Sequence, residues 1–165
     1  MRKIIIGLTI LLALKLNAQN NMKQIKKDGM TVKWEIVDDQ LHVEMSAPTE
    51  GWVTVGFNEN SNITGAYLLM GRVRNGKAEV VEHFTSSPGN YQPISNYKVP
   101  NQVKDIKGSE NGKNTELTFK IPIAAASKYH KHLTKGSTWS MIMAYSLEDD
   151  FQHHSIRRTS VSIKL

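Results

Sequence analysis

The chain has 165 residues, no cysteine, and a formal net charge of +6 from 21 Lys+Arg against 15 Asp+Glu. Without cysteine it holds neither disulfides nor a thiolate metal site, so its stability has to come from apolar burial. The positive charges form no stripe interleaved with stacking aromatics, which argues against nucleic acid as a partner.

The first element is a leader. Arg2 and Lys3 make a basic start, Ile4 to Leu14 is apolar, and Leu16-Asn17-Ala18 ends in the small residue that signal peptidase accepts. A signal peptide is expected over residues 1–18, with Gln19 as the mature N-terminus and an exported product, periplasmic or secreted. The apolar run falls well short of the ~20 residues that span a bilayer, so no stable membrane insertion is expected. Cleavage removes Arg2, Lys3 and Lys15 and no acid. Much of the apparent basicity is therefore a targeting device. Residues 19–29 read as an N-terminal extension and 30–165 as one domain, long enough to bury a sizeable core.

From Met30 onward the apolar period is two. Val32, Trp34 and Ile36 alternate with Lys33 and Glu35; Leu41, Val43 and Met45 alternate with His42 and Glu44; Asp38-Asp39 turns between them. Val53, Val55 and Phe57 form the next row. Tyr67 to Val73 is apolar on both faces, as in a strand covered on both sides, and Asn75-Gly76 returns the chain as Lys77 to Phe84. Asn111-Gly112 precedes the row Leu117, Phe119, Ile121; Trp139, Met141, Met143 and Tyr145 form another, and Ile156 to Lys164 a last strand. The pattern predicts an all-β fold, an antiparallel β-sandwich of about nine strands, immunoglobulin-like, with Trp34 and Phe119 buried. Two segments break the rhythm. Thr85 to Pro100 carries three of the five prolines and reads as a long proline-rich loop over one end of the sandwich. Ile123 to Leu133, with Ala124 to Ala126, predicts one short helix.

The chemistry-bearing residues are few. Neither Gly108-Ser109 nor Gly136-Ser137 sits in a Gly-x-Ser-x-Gly frame, and no phosphate-cradling glycine loop occurs. The chain is therefore read as a non-enzyme. His130 and His132 would share a face only on a strand, and no third metal ligand is fixed by spacing; no metal site is assigned. His42 lies on a polar strand face, and His83 closes the strand that feeds the proline-rich segment. Asp149-Asp150-Phe151-Gln152-His153-His154 puts two carboxyl groups beside two imidazoles, a pattern that serves equally a loop latch and the surroundings of a ligand. Adjacent strand residues face opposite ways, so only one of His153 and His154 can face inward.

Gly51-Trp52-Val53-Thr54-Val55-Gly56-Phe57, Gly65-Ala66-Tyr67-Leu68-Leu69-Met70-Gly71 and the histidine before the last strand together resemble the DOMON domain over roughly Met30 to Leu165. The resemblance implies a β-sandwich module that carries a b-type haem, or binds sugars and other small ligands, and serves beside a redox partner. It also implies a histidine haem ligand near the start of the last strand, met here by His153 or His154. The usual second ligand is a methionine soon after the Gly-Trp strand. Asn58 to Thr64 holds none, and the nearest candidate is Met70, already within the next strand.

Three functions follow. The leading one is a non-catalytic small-ligand-binding module with its pocket at one end of the sandwich, using Trp52, Tyr91 or Phe151 as apolar surfaces. The alternative is a haem b cytochrome domain in electron transfer, with His154 or His153 and Met70 at the iron. The third is a small enzyme using His83 and the His153-His154 loop. The loop Asp149 to His154 is expected at the same pocket mouth as Met70 or the Thr85 to Pro100 segment, because sandwich loops gather at two ends.

Overall fold

Alternating side chains divide this chain into two layers. The computed structural model describes residues 22–165; the expected leader and the Gln19 terminus lie outside the described residues. Eleven strands follow in order: β1 (Lys23–Lys27), β2 (Met30–Val37), β3 (Gln40–Ala47), β4 (Val53–Asn58), β5 (Tyr67–Arg74), β6 (Lys77–Ser87), β7 (Asn90–Pro93), β8 (Lys104–Glu110), β9 (Thr115–Pro122), β10 (Thr138–Tyr145) and β11 (Arg157–Lys164). One sheet has five strands in the order β1-β2-β3-β9-β8, the other six in the order β11-β10-β4-β5-β6-β7. Every pairing is antiparallel.

The expected rows meet between the sheets. Val32, Trp34, Leu41, Val43, Met45, Leu117, Phe119 and Ile121 of one layer pack on Val53, Val55, Phe57, Leu69, Met141 and Met143 of the other. Asp38 and Asp39 both adopt positive φ (48° and 59°), as do Asn75 and Gly76 (52° and 71°), which is the primed turn that matches strand twist.

Two expectations need correction. Among the described residues the strands number eleven, not about nine: β1 and β8 are polar edge strands, and β7 lies in the segment expected as a loop. β1 has Ile25 as its one apolar residue, β8 has Ile106, and neither shows alternation to read. The short helix over Ile123 to Leu133 does not form. Leu133 N donates to Ile123 O at 2.8 Å, so the segment's ends are pinned together, which a helix rising 1.5 Å per residue forbids. Within it the Ser127 hydroxyl accepts from Tyr129 N at 3.2 Å and lies 2.8 Å from His130 Nδ1, local bonds that compete with helix. The helical turn present is of 3-10 type, at Ile94–Tyr97 in the proline-rich segment. The start of that segment is ladder rather than loop, since β6 runs on to Ser87 and turns through Pro88-Gly89 into β7.

The two sheets differ in how they meet solvent. In β2, β3 and β9 buried and less buried residues alternate, whereas β4 is buried throughout and β5 and β10 nearly so. The centre of the six-stranded sheet is therefore covered on both faces. Its inner face meets the other sheet, and its outer face is roofed by Ile63 and Phe151 of its loops and by Tyr91 of β7.

Candidate functional site on the outer face of the six-stranded sheet

The two stretches that stand out in the sequence touch. A side chain at Gly51 would meet the backbone of Ser146 to Glu148 at 2.4–2.6 Å, so glycine alone lets the β10–β11 loop lie on this turn. Trp52 N donates to Glu148 O at 3.0 Å, and Ser146 N to Trp52 O at 3.0 Å. The indole Nε1 then donates to His153 O at 3.2 Å. The Gly-Trp strand start thus holds in place the loop that carries His153 and His154.

Register sets what faces outward. Arg158, Ala144, Thr54 and Met70 lie in one row across β11, β10, β4 and β5, and Ile142, Gly56, Leu68 and His83 in the next. Above these rows is a cavity of about 90 Å³ bounded by Trp52, Thr54, Leu68, Met70, Tyr91, Ala144, His154 and Arg158, among others. Ile63, Ile142 and Arg158 also border an adjoining polar recess of about 290 Å³, lined by Ser61, Asn62, Thr159 and Ser160. The chamber is mainly apolar and the recess mainly hydroxyl and amide.

Two of the polar side chains at the chamber are engaged by main-chain oxygens. Tyr91 OH donates to Phe151 O at 2.6 Å, and Trp52 Nε1 is held by His153 O. Thr54 is not: its residue is 2% exposed and its hydroxyl has no hydrogen-bond partner. A buried hydroxyl without a partner costs about 1–3 kcal/mol. Arg158 also enters no salt bridge or side-chain hydrogen bond among the described residues, unlike Arg72, whose guanidinium is 2.7 Å from Glu79 and 4.3 Å above the Phe151 ring.

Met70 and His154 line this one cavity, Met70 buried in its floor and His154 exposed at its rim. His153 is exposed, and it is its main chain that contacts Trp52. His83 lies on the same sheet face, buried edge-on against Tyr91 at 6.0 Å and Phe151 at 5.5 Å, with Nδ1 3.1 Å from Val81 O. Burial holds its imidazole below the ordinary value, against the opposing pull of the Val81 carbonyl and Glu79. The acids of the loop turn away from its histidines: Asp149 Oδ2 is 3.9 Å from Arg74 Nε, and Asp150 Oδ1 accepts from Gln152 N. Sequence reasoning passed over Thr54 and Arg158. The signal for Thr54 was a lone hydroxyl within an otherwise apolar strand.

Two other polar clusters are structural. His130 and His132 part company: His130 is buried, with Nε2 3.4 Å from Glu82 Oε1, and His132 is exposed. Glu82, itself fully buried, accepts from Tyr67 OH and Gln102 N, so one carboxyl group ties three segments together. On the outer face of the five-stranded sheet an open groove of about 550 Å³ is lined by Glu35, His42, Glu44, Asp105 and Lys120. Its charges pair across strands, Lys33 with Glu44 at 3.0 Å and Lys120 with Asp105 at 2.8 Å, as on a solvated sheet face.

The family model for the DOMON domain matches residues 26–146. The chain belongs to the DOMON family. A relative, MOXD1 homolog 2 of Drosophila melanogaster, is 25% identical over 131 residues, covering 79% of this chain and 17% of the relative. The chain thus spans about a sixth of that protein's length. Two solved structures share the fold, each covering 87% of this chain and 81% of theirs: the cytochrome domain of Myriococcum thermophilum cellobiose dehydrogenase (TM-score 0.65, 10% identity) and the cytochrome b domain of pyranose dehydrogenase from Coprinopsis cinerea (TM-score 0.60, 8% identity). The matched DOMON segment includes Thr54 and Met70 and ends before the loop and strand that bring His154 and Arg158 to the cavity.

Proposed function

We propose that this chain is an exported, non-catalytic DOMON module that holds a small ligand in the chamber over Thr54 and Met70. The observation that carries the reading is the buried, unpartnered hydroxyl of Thr54, a residue in the floor of a mainly apolar cavity. Such a group is stabilised by a ligand that brings it an acceptor or donor. No nucleophile and base are aligned at the chamber, and its histidine stands at the rim, so binding rather than turnover is the chemistry it favours. The leader over residues 1–18 supports export.

The test is a calorimetric titration with benzene, a neutral apolar probe small enough for the chamber. The parent protein is expected to bind it, and Ala144→Trp, which fills the chamber, to lose that binding while unfolding at a midpoint near the parent's. Binding that survives Ala144→Trp in a folded variant would place the probe elsewhere and remove the reading.

One observation favours haem b as a second reading: a thioether and an imidazole, Met70 and His154, border the same cavity, and such a pair can hold haem iron. The donors fit, but the space does not. About 90 Å³ is far below the roughly 300–1,000 Å³ of pockets for cofactor-sized ligands. Haem would enter only if the walls at Gly89, Tyr91 and His154 parted, and no redox step or redox partner is derived from the present arrangement. Haemin titration decides: a low-spin absorption spectrum lost in both Met70→Ala and His154→Ala would establish the cytochrome reading, and a spectrum of free haemin would end it.

A further inference from the structure

We infer that the ligand is a small amphipathic carboxylic acid, its apolar part in the chamber over Met70 and its carboxylate at Arg158. The inference rests on the ligand-module reading and names the class of ligand that the site takes.

Three observations converge on it. The first is the row itself. Arg158, Ala144, Thr54 and Met70 stand opposite one another on four successive strands. At a strand spacing of about 4.8 Å, the row runs about 14 Å from a cation at the sheet's edge to a thioether near its middle. Ala144 between them keeps the path low. A molecule lying along this row meets charge at one end and apolar surface at the other.

The second is an imbalance of charge. Neither the chamber nor the adjoining recess is lined by an Asp or Glu, while Arg158 borders both. Arg72 and Arg74, farther along the same sheet, have Glu79 and Asp149 beside them. Among the described residues Arg158 has no such partner. A guanidinium at the mouth of an apolar cavity presents paired donors that match a planar carboxylate. The recess behind it supplies Ser61, Thr159 and Ser160 at the polar end.

The third observation is independent of charge. The Thr54 hydroxyl is buried and unpartnered on a residue that lines the chamber, while the Tyr91 and Trp52 polar atoms are spoken for by main-chain oxygens. The chamber therefore lacks a polar partner that a bound molecule would bring. A purely hydrocarbon occupant would leave Thr54 as it is, whereas an acid carrying an oxygen along its length would satisfy it. A single guanidinium, with no Lys or second Arg lining the chamber or the recess, suits one carboxylate rather than a doubly charged phosphate.

The experiment uses two probes of equal chain length, octanoate and octan-1-ol, titrated at pH 7 into the mature chain and followed by calorimetry and tryptophan fluorescence. Octan-1-ol reports the chamber; the difference between the probes reports the anion subsite. Octanoate is expected to bind at least about tenfold more tightly than octan-1-ol, as a charge-assisted bidentate contact provides. In Arg158→Gln that advantage should disappear, octanoate then binding no more tightly than octan-1-ol. Arg158 is exposed on an edge strand, so the variant should fold, and Arg158→Lys should recover only part of the preference. Equal binding of the two probes in the parent, or an octanoate preference that survives Arg158→Gln, overturns the inference and leaves the chamber standing as a site. Failure of both probes to bind overturns the inference and counts against the chamber as well.

Discussion

Glu82 and His130 meet inside the sandwich, with His130 Nε2 3.4 Å from Glu82 Oε1 and both side chains almost wholly removed from solvent. Glu82 comes from β6 and His130 from the segment before β10, so the contact fastens a long irregular connection to the six-stranded sheet. Tyr67 OH and Gln102 N donate to the same carboxyl group. Replacing Glu82 by Ala leaves Tyr67 OH and Gln102 N without their acceptor and His130 Nε2 without its charge contact. We expect Glu82→Ala to lower unfolding stability by about 3–5 kcal/mol, measured by urea denaturation. A loss below about 1 kcal/mol would mean that water replaces the carboxyl group and that the cluster does not bind the segments together.

Tyr67 supplies an alkaline signature of the same cluster. Burial first, then the charge and hydrogen bond of Glu82, push its phenol well above the ordinary value of 10.0. A group whose folded value is raised contributes stability that is complete below its unfolded value and lost as pH climbs toward the folded one. Stability should therefore be level up to about pH 10 and fall steeply above it. In Tyr67→Phe the neutral-pH stability should drop for want of the hydrogen bond, and the alkaline fall should become shallower. An unchanged alkaline slope in Tyr67→Phe would assign that fall to other groups.

How far the sequence carried the reading depends on whether a feature was local. The alternation of Val32, Trp34 and Ile36, and of Leu117, Phe119 and Ile121, exposed the core strands because one face of each is wet. The two-faced apolar run Tyr67 to Val73 exposed the double cover of β5, and with it the sheet face on which the chamber lies. Edge strands β1 and β8 escaped because edges are protected by charge rather than by pattern. The failed helix escaped because the bond from Leu133 N to Ile123 O overrides the propensity of three alanines. Thr54 and Arg158 could not be joined by inspection, since the row that aligns them is set by register across β11, β10, β4 and β5. Met70 and His154 were reachable only through the family pattern.

His83 makes a prediction at acid pH. Burial lowers its imidazole from the ordinary value of 6.5, so the neutral ring is the form that the fold accepts against Phe151 and Tyr91. A folded value below the unfolded one gives stability that is complete above about pH 6.5 and lost as pH falls through the folded value. Melting midpoints measured from pH 7 down to pH 4.5 should fall in the parent and fall less in His83→Phe, which keeps an aromatic ring without a proton site. Parallel curves for the two proteins would show that His83 does not titrate within the folded state.

Thr54 tests the chamber from the side of the protein rather than the ligand. Its hydroxyl lies buried on the outer face of β4, between Ala144 and Met70, with no partner. Valine has nearly the same shape and needs no hydrogen bond. In the ligand-free protein Thr54→Val should therefore raise stability by about 1 kcal/mol, read as a higher urea midpoint at unchanged m. A β-branched residue is retained at the position, so strand propensity is not what changes. If the hydroxyl is kept for a ligand, the same substitution should weaken binding of an acid that carries a hydroxyl or oxo group along its chain, while leaving octan-1-ol nearly unaffected. Gain of stability with loss of that binding is the trade expected of a site residue. Thr54→Val that destabilises the free protein would show that the hydroxyl already has a partner, and the main observation for a ligand in this chamber would be gone.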